Sequence, residues 1–327
     1  MRVLLTGASG FVGGHAARTL AAAGHELHVL ARPSSDLRGL AALSYTRVLG
    51  DLAAATPDAL AAAVDGVDAV VHVAGLTAAV DPRAFDRVNR RGTAALVEAA
   101  RAAGVSRFVY VSSLAALGPS PGGLPESPQT PVHPITPYGR SKAEGEQAVL
   151  AAAGAMTVQV LRPPAVYGPG DRGLLPFFRL ARWHAFLQYG RGDHRLSFIY
   201  GPDLAEAIAA LVDAPAEAVP IYHIADAEGP YTWRFLAGAL AAALGSRVIR
   251  VPLPGVVFRG VARGGEALAW VTHGQPVVDR SRVTEMAQPA WVCESAALQA
   301  ATGWAPRTPL AEGLEATVAW YREQRWI

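Results

Sequence analysis

The sequence predicts an α/β fold with a doubly wound parallel sheet and a smaller, discontinuous α/β lobe. Between residues 2 and 161, short continuous apolar runs alternate with alanine-rich amphipathic stretches. That alternation is typical of parallel strands covered by helices on both faces. The first apolar run also leads directly into a glycine-rich turn that opens a helix.

The first part of the chain supplies six strands and four helices in alternation. The predicted strands are 2–6, 26–31, 45–49, 69–73, 108–112 and 157–161. The predicted helices are 11–23, 57–64, 82–103 and 138–153. A stretch rich in Pro, Gly and Ser, 118–137, has little periodicity, and loops of this length are usually functional lids or disordered.

After residue 161 the alternation breaks up, and Pro, Gly, Arg and aromatic residues become frequent over 162–192 and 252–291. A further helix is predicted at 203–212 and a further strand at 220–224. Residues 1–162 with about 203–225 are assigned to the sheet domain, and 163–202 with 226–327 mainly to the second lobe. The apolar stretch 256–271 favours a second-lobe helix over a membrane-surface helix.

Composition excludes several classes of protein. Lys+Arg total 29 and Asp+Glu 27, giving a net charge of +2 without a basic run, which argues against a nucleic-acid partner. A single cysteine, Cys293, excludes a disulfide framework, and no metal site is predicted. No apolar stretch is long enough for a membrane span, and no signal-peptide pattern opens the chain. A cytoplasmic location is therefore expected.

Two residue types are almost missing. The chain has one lysine, Lys142, and one asparagine, Asn89. Coding bias toward Ala, Arg, Gly and Pro explains the scarcity, but the positions of the two survivors are informative.

The turn after the first strand has glycines at three spaced positions, Gly7, Gly10 and Gly13. The first allows a tight turn, the second lets the backbone approach a pyrophosphate, and the third permits close packing of helix on strand. The helix N-terminus presents unpaired amides to the phosphate charge. This placement predicts a dinucleotide site of the Rossmann type.

The end of the second strand bears on the choice of dinucleotide. An acidic residue there binds the ribose hydroxyls, whereas an arginine accommodates a 2′-phosphate. This chain has no carboxylate at the strand end but has Arg32, followed by Ser34 and Ser35. NADP(H) is therefore favoured, and NAD(H) stays possible because an arginine can also stack on adenine.

The only lysine lies four residues after Tyr138, in a segment that Thr136 and Pro137 should open as a helix. Tyr138 and Lys142 then share one helix face. A phenol titrates near ~10, and a neighbouring ammonium is expected to lower that pKa toward the range useful for acid–base work. Ser113, at the carboxyl end of a predicted strand, could hold a substrate oxygen against Tyr138.

Together these motifs resemble the extended short-chain dehydrogenase/reductase family, in its epimerase/dehydratase-like branch, over nearly the whole chain. The segments that carry the resemblance are 6–13, 50–52, 72–75, Asn89 with 92–93, 112–113, 138–142, 161–163 and 167–171.

The resemblance implies a catalytic set of Ser113, Tyr138 and Lys142. It places Asp51 and Leu52 beside the adenine and the main chain around Pro163 to Val166 beside the nicotinamide. The full set of predicted cofactor contacts is Gly7, Gly10, Phe11, Val12, Gly13, Arg32, Asp51, Leu52, Ala74, Gly75, Asn89, Tyr138, Lys142, Pro163 and Val166. The resemblance also implies a homodimer formed through helices 82–103 and 138–153.

Departures from the family pattern narrow the reaction. Leu114, Ala115 and Ala116 stand where sugar dehydratases of the family have acidic residues, and Leu117 where its epimerases often have tyrosine. Leu196 stands at the usual diphosphate-binding arginine, with Arg195 next to it.

These differences predict an NAD(P)-dependent oxidoreductase that moves hydride between nicotinamide and a carbonyl or secondary alcohol of a fairly apolar small-molecule substrate. A sugar-nucleotide epimerase and a non-catalytic dinucleotide sensor remain as alternatives.

Overall fold

The structure is a computed structural model that describes residues 1–54, 56–79, 81–215, 220–272 and 279–327. Its strands are β1 Arg2–Thr6, β2 Glu26–Ala31, β3 Thr46–Leu49, β4 Ala69–His72, β5 Arg107–Val111, β6 Thr157–Arg162, β7 Ala165–Tyr167, β8 Ala185–Tyr189, β9 Arg195–Leu196, β10 Phe198–Tyr200, β11 Ile221–His223, β12 Tyr231–Thr232, β13 Ile249–Leu253 and β14 Ala290–Trp291.

The α-helices are α1 Phe11–Ala22, α2 Pro57–Val64, α3 Arg83–Phe85, α4 Thr93–Ala102, α5 Leu114–Leu117, α6 Pro137–Leu150, α7 Leu175–Arg182, α8 Gly201–Asp213, α9 Trp233–Leu244, α10 Gly255–Thr272, α11 Arg280–Met286, α12 Ala296–Thr302 and α13 Leu310–Glu323. A short 3₁₀ helix lies at Arg38–Leu40 and a π-helical segment at Asp86–Gly92.

Seven strands form one parallel sheet in the order β11-β6-β5-β4-β1-β2-β3. The predicted doubly wound sheet is confirmed, and the ends of the predicted strands agree to within one residue. The order reverses between β1 and β4, and the crevice at such a switch point is where open α/β sheets bind ligands.

Helices cover both faces of this sheet. One apolar layer joins the sheet to α1 and α8, and the other joins it to α2, α4 and α6. The strands read as continuous apolar runs because both of their faces are buried.

The predicted helix at 82–103 is continuous but contains the π-helical segment between α3 and α4. At Gly92 a Cβ atom would lie 2.9 Å from the carbonyl oxygen of Leu52, so only glycine allows this approach. π-helical turns often lie at functional sites, and this one carries Asn89.

The second lobe holds three small sheets and a core in which α7, α9 and α13 pack together. Helix α10 forms where the apolar stretch 256–271 predicted one, and it buries Phe258 and Ala262. The domain limits stay a prediction, and residues 216–219 of the assigned sheet domain lie outside the described residues. None of the described helices has both the length and the apolar character needed to cross a bilayer.

The predicted loop 118–137 has no helix or strand before α6 begins at Pro137. Hydrogen bonds join this loop to α5 and β6. His133 N donates to Leu117 O at 2.7 Å, and Arg162 Nη1 donates to Pro128 O at 3.0 Å. A role of this loop as a lid stays a prediction.

Candidate active site

A cleft of about 1700 Å³ runs along the carboxyl ends of the parallel strands. Every predicted site residue except Asn89 lines it: Gly7, Gly10, Phe11, Val12, Gly13, Arg32, Asp51, Leu52, Ala74, Gly75, Ser113, Tyr138, Lys142, Pro163 and Val166. We call the side that carries Ser113, Tyr138 and Lys142 the sheet wall. The opposite side, which carries Leu196, Arg282, Glu285, Met286 and Trp291, is the lobe wall.

The glycine turn between β1 and α1 is packed too tightly for side chains. Gly7 has φ +78°, and a Cβ atom there would lie 2.7 Å from the backbone nitrogen of Ala74. A Cβ atom on Gly13 would lie 2.0 Å from the carbonyl oxygen of Gly7. The close helix–strand packing predicted from the sequence is therefore present.

The N-terminus of α1 suits a phosphate group. Gly10 caps the helix without a side-chain hydrogen bond, and the first turn contains no acidic residue. The first amides of the helix therefore lack a protein acceptor, and the helix dipole favours negative charge at this point. The geometry fits the pyrophosphate of a dinucleotide, which these backbone amides would hold.

A buried histidine supports the backbone at Ala74. Ala74 N donates to Thr6 Oγ1 at 3.0 Å, and Thr6 Oγ1 lies 2.7 Å from His72 Nδ1. The other ring nitrogen lies 2.9 Å from Thr93 Oγ1. Burial, with a smaller effect of the Lys142 charge, lowers the pKa of His72 to about 3. The ring is therefore neutral, and it positions the backbone beside the predicted cofactor.

Arg32 is exposed at the end of β2 and lines the cleft with Ser35. Arg47 Nη2 donates to the carbonyl oxygens of Arg32 at 2.7 Å and Pro33 at 3.1 Å, which fixes the turn. A carboxylate, Asp36, also lines this region, but Arg38 binds both of its oxygens. That pairing lowers the pKa of Asp36 to about 2.

Tyr138 lies in the first turn of α6, which begins as predicted. Thr136 caps the helix, since its Oγ1 accepts from Gly139 N at 3.1 Å. Burial raises the pKa of Tyr138 to about 12, against a hydrogen bond with the Ser113 side chain that lowers it. The expectation that Lys142 brings this pKa down is therefore not met, because burial dominates.

Lys142 is buried against β5. Its Nζ donates to Val111 O at 2.8 Å and lies 4.3 Å from the centre of the Tyr110 ring. Burial lowers the pKa of Lys142 to about 7, while the negative charge of Glu146 opposes that change. Lysine and tyrosine face the same cleft, as their four-residue spacing predicted.

An ion pair lies buried behind Lys142. Glu146 accepts from Arg162 Nε at 2.9 Å and Nη2 at 2.7 Å, and from Ser112 Oγ at 2.5 Å. Both charged side chains are almost inaccessible to solvent. This network joins α6 to β5 and β6, and so holds the helix that carries Tyr138 and Lys142 against the sheet.

Asn89 lies behind the cleft instead of lining it. Its Oδ1 accepts from Leu76 N at 2.8 Å, and its Nδ2 donates to Leu76 O at 2.9 Å and Ser141 Oγ at 3.0 Å. The side chain is 1% exposed. In this structure the lone asparagine positions the loop after β4 relative to α6, and its contact with a cofactor stays a prediction.

The lobe wall is mostly apolar. Leu196 lines the cleft, whereas Arg195 points away and donates to Gly123 O at 2.8 Å. The two neighbours on strand β9 thus face opposite sides, as alternation along a strand requires. Leu114 and Ala115, which follow Ser113, also line the cleft.

With this geometry established, comparison with known proteins assigns the chain to a family. Residues 3–225 match the model of the NAD dependent epimerase/dehydratase family. The chain belongs to this family. It is an NAD(P)-dependent enzyme of the extended short-chain dehydrogenase/reductase type, as its motifs predicted.

Relatives of the family resemble the chain over its whole length. It is 35% identical to ceramide reductase of Caulobacter vibrioides, over 99% of this chain and 96% of the relative. It is 33% identical to 2-alkyl-3-oxoalkanoate reductase of Stenotrophomonas maltophilia, over 96% and 97%. The solved structure of DesIV, a dTDP-glucose 4,6-dehydratase from Streptomyces venezuelae with NAD and TYD bound, superposes with a TM-score of 0.79 at 28% identity, covering 99% of this chain and 98% of that one.

Two site features of this family member were not predicted from the sequence. Glu146 had a usable signal, because it follows Lys142 by the same four-residue step that links Lys142 to Tyr138. Glu285 had none, because it lies 149 residues from its hydrogen-bond partner Thr136, on a separate segment. Local spacing finds the first kind of residue and misses the second.

Proposed function

We propose that the protein is a reductase that prefers NADP(H) and acts on a carbonyl group of a fairly apolar substrate. The observation that carries this proposal is the grouping of Ser113, Tyr138 and Lys142 on one wall of an otherwise largely apolar cleft. When bound, the nicotinamide supplies the hydride in the forward direction or accepts it in reverse.

Tyr138 would act as the proton donor. With a pKa of about 12 its phenol keeps its proton at neutral pH, and this is the form that can protonate the oxygen of a carbonyl as that oxygen gains negative charge. Ser113, which is hydrogen-bonded to Tyr138, would hold the same oxygen. Lys142 has a pKa of about 7. It would return a proton to Tyr138 after the tyrosine has protonated the substrate.

The lobe wall supports an apolar substrate. Leu196, Met286 and Trp291 present carbon surface where a sugar would need polar partners. The two relatives named above are called reductases of a ceramide and of a 2-alkyl-3-oxoalkanoate.

The test is to assay Tyr138→Phe on a panel of long-chain ketones. We expect turnover to fall about 10²- to 10⁴-fold, because the general acid is lost, while the protein still binds NADPH. Tyr45→Phe is the control, because Tyr45 is partly buried away from the cleft. Retained activity in Tyr138→Phe would refute the assignment.

The two alternative functions predict other results for the wild type. Tightly held NAD together with interconversion of sugar nucleotides would establish the epimerase. Cofactor binding without any oxidoreduction would establish the sensor.

We propose the NADP(H) preference from the turn after β2. Arg32 and Ser35 face the cleft, and the carboxylate that follows them in the same turn, Asp36, is already bound by Arg38. An arginine can bind a 2′-phosphate through two parallel hydrogen bonds. We expect Arg32→Ala to raise the KM for NADPH at least about tenfold and the KM for NADH much less. Equal affinity of the wild type for both cofactors in a titration would contradict the preference.

We also propose a homodimer formed through the helical stretch from α3 to α4 and through α6. These helices pack side by side on the same face of the sheet. Light scattering at several protein concentrations measures the mass, and a monomer at all of them would reject the proposal.

A further inference from the structure

Helix α11 places a single carboxyl group opposite the catalytic-site tyrosine. Asp279 caps this helix by accepting from Arg282 N at 2.8 Å, and Arg280 Nε binds Glu266 of α10 at 2.8 Å. Ser281, Arg282, Glu285 and Met286 of α11 line the cleft together with Tyr138. The reaction proposed above uses none of these four α11 side chains.

The carboxyl group of Glu285 is held by one oxygen. Its Oε1 accepts from Thr136 Oγ1 at 3.0 Å. The backbone oxygen of Glu285 accepts from the indole Nε1 of Trp291 at 2.9 Å. No hydrogen bond from the described residues reaches Oε2. One end of the carboxyl group is therefore fixed, and the other is available to a molecule in the cleft.

The carboxyl group is close enough to affect the reacting tyrosine. Its negative charge is among the causes that raise the pKa of Tyr138, after burial itself. The hydrogen bond from Thr136 to Glu285 also joins α11 to the start of α6. Tyr138 lies in this first turn of α6. A substrate whose carbonyl lies at Tyr138 would thus carry its neighbouring atoms past Glu285.

We propose that Glu285 forms a hydrogen-bonding subsite for an O–H or N–H group of the substrate that lies within a few bonds of the reacting carbonyl. This inference rests on the proposed function. It narrows the substrate class to long-chain ketones that carry a hydroxyl or amide N–H donor next to the carbonyl. The apolar remainder of the lobe wall would take the hydrocarbon chain.

An acceptor that a bound substrate shields from water discriminates strongly, because a ligand without a donor leaves it unpaired. Removing one partner of a buried hydrogen bond imposes the full desolvation cost on the other, more so when that group is charged. The same reasoning explains why sites built to bind a substrate hydroxyl reject analogues that lack it. A donor-bearing ketone should therefore be favoured about ten- to a hundredfold in kcat/KM.

The experiment compares two ketones of equal chain length, one with a hydroxyl on the carbon next to the carbonyl and one with a methoxy group there. At about pH 8, where the Glu285 carboxyl group is ionised and can only accept, the wild type should prefer the hydroxy ketone at least about tenfold. In Glu285→Gln, the amide oxygen can still accept from Thr136, so the NH₂ group faces the cleft. That variant should lose the preference or reverse it toward the methoxy ketone, which only accepts. Glu315→Gln, an exposed substitution on α13, is the matched control and should keep the wild-type ratio.

The outcomes separate the two proposals. If the wild type reduces neither ketone with either cofactor, the proposed function fails. If it reduces both with a ratio near one, or if Glu285→Gln keeps the wild-type ratio, the subsite is rejected while the reductase stands. Glu285→Ala, checked for folding by circular dichroism and for NADPH binding, provides a second reading of the ratio should the glutamine variant be unstable.

Discussion

The sheet wall and the lobe wall face the same cleft but are built differently. On the sheet wall, Tyr138 and Lys142 belong to one helix, and a buried ion pair beneath them fixes that helix to two strands. On the lobe wall, Leu196, Glu285 and Trp291 come from three separate elements. The first arrangement fixes Tyr138 and Lys142 relative to the sheet, whereas the second depends on how three separate segments pack against each other.

The largest effect is expected where the sheet wall is anchored. Glu146→Ala would leave the buried guanidinium of Arg162 without its carboxylate, and breaking one partner of a buried ion pair costs about 3–5 kcal/mol. Denaturant unfolding measures this loss. Glu144→Ala is the control, because Glu144 is exposed on the same helix and its ion pair with Arg90 spans 3.6 Å. Similar losses in both variants would show that the buried pair does not anchor the wall.

The same contrast explains what the sequence could predict. The parallel sheet, the glycine turn and the Tyr138–Lys142 face were all predicted, because each depends on residues that are close together in the chain. Arg195 and Leu196 also followed the alternation of a strand, with the leucine in the cleft. Glu285 depends on how a segment far along the chain folds back against Thr136, and no local pattern encodes that contact.

One sequence-based expectation fell short because it left out burial. The lowered pKa of Tyr138 was argued from the charge of Lys142 alone, yet burial outweighs charge at that position. Desolvation is a property of the packed chain, and spacing does not report it. The hydrogen bonds of Asn89 to Leu76 and Ser141 were likewise not readable from spacing, and its contact with a cofactor stays a prediction.

The next-largest expected effect is a change of folding stability with pH. Burial raises the pKa of Glu285 from 4.5 to about 7. The folded chain therefore binds more protons than the unfolded chain between about pH 4.5 and 7, so its stability falls as pH rises through that window. Lys142 acts on the other side of neutrality. Its pKa is lowered from 10.5 to about 7, so the folded chain binds fewer protons and stability rises between about pH 7 and 10.5.

Unfolding free energies of the wild type and Glu285→Gln at about pH 4 and pH 8 isolate the first change. As the pH rises, the wild type should lose unfolding free energy relative to the glutamine variant. The expected loss is on the order of 2 kcal/mol, after allowance for the partly exposed carboxyl group. Contributions from His72 and His223, whose pKa values burial also lowers, cancel in this difference. The groups that face Glu285 are Thr136, Tyr138, Asp279 and Arg282. A difference that does not depend on pH would show that Glu285 titrates as an ordinary surface carboxyl.

The smallest effect is expected at Thr136, where the two walls meet. Its hydroxyl accepts from Gly139 N at the start of α6 and donates to Glu285 Oε1. Thr136→Ala should cost about 1 kcal/mol through loss of the helix cap, and Thr136→Ser should keep both bonds. Thr136→Gly separates the two roles, because glycine is tolerated at a helix N-cap at a cost of a few tenths of a kcal/mol but cannot donate to Glu285. If the glycine variant matches the serine variant in preference for the hydroxy ketone, Thr136 only caps the helix. If it loses the preference, the hydroxyl couples the sheet wall to the lobe wall.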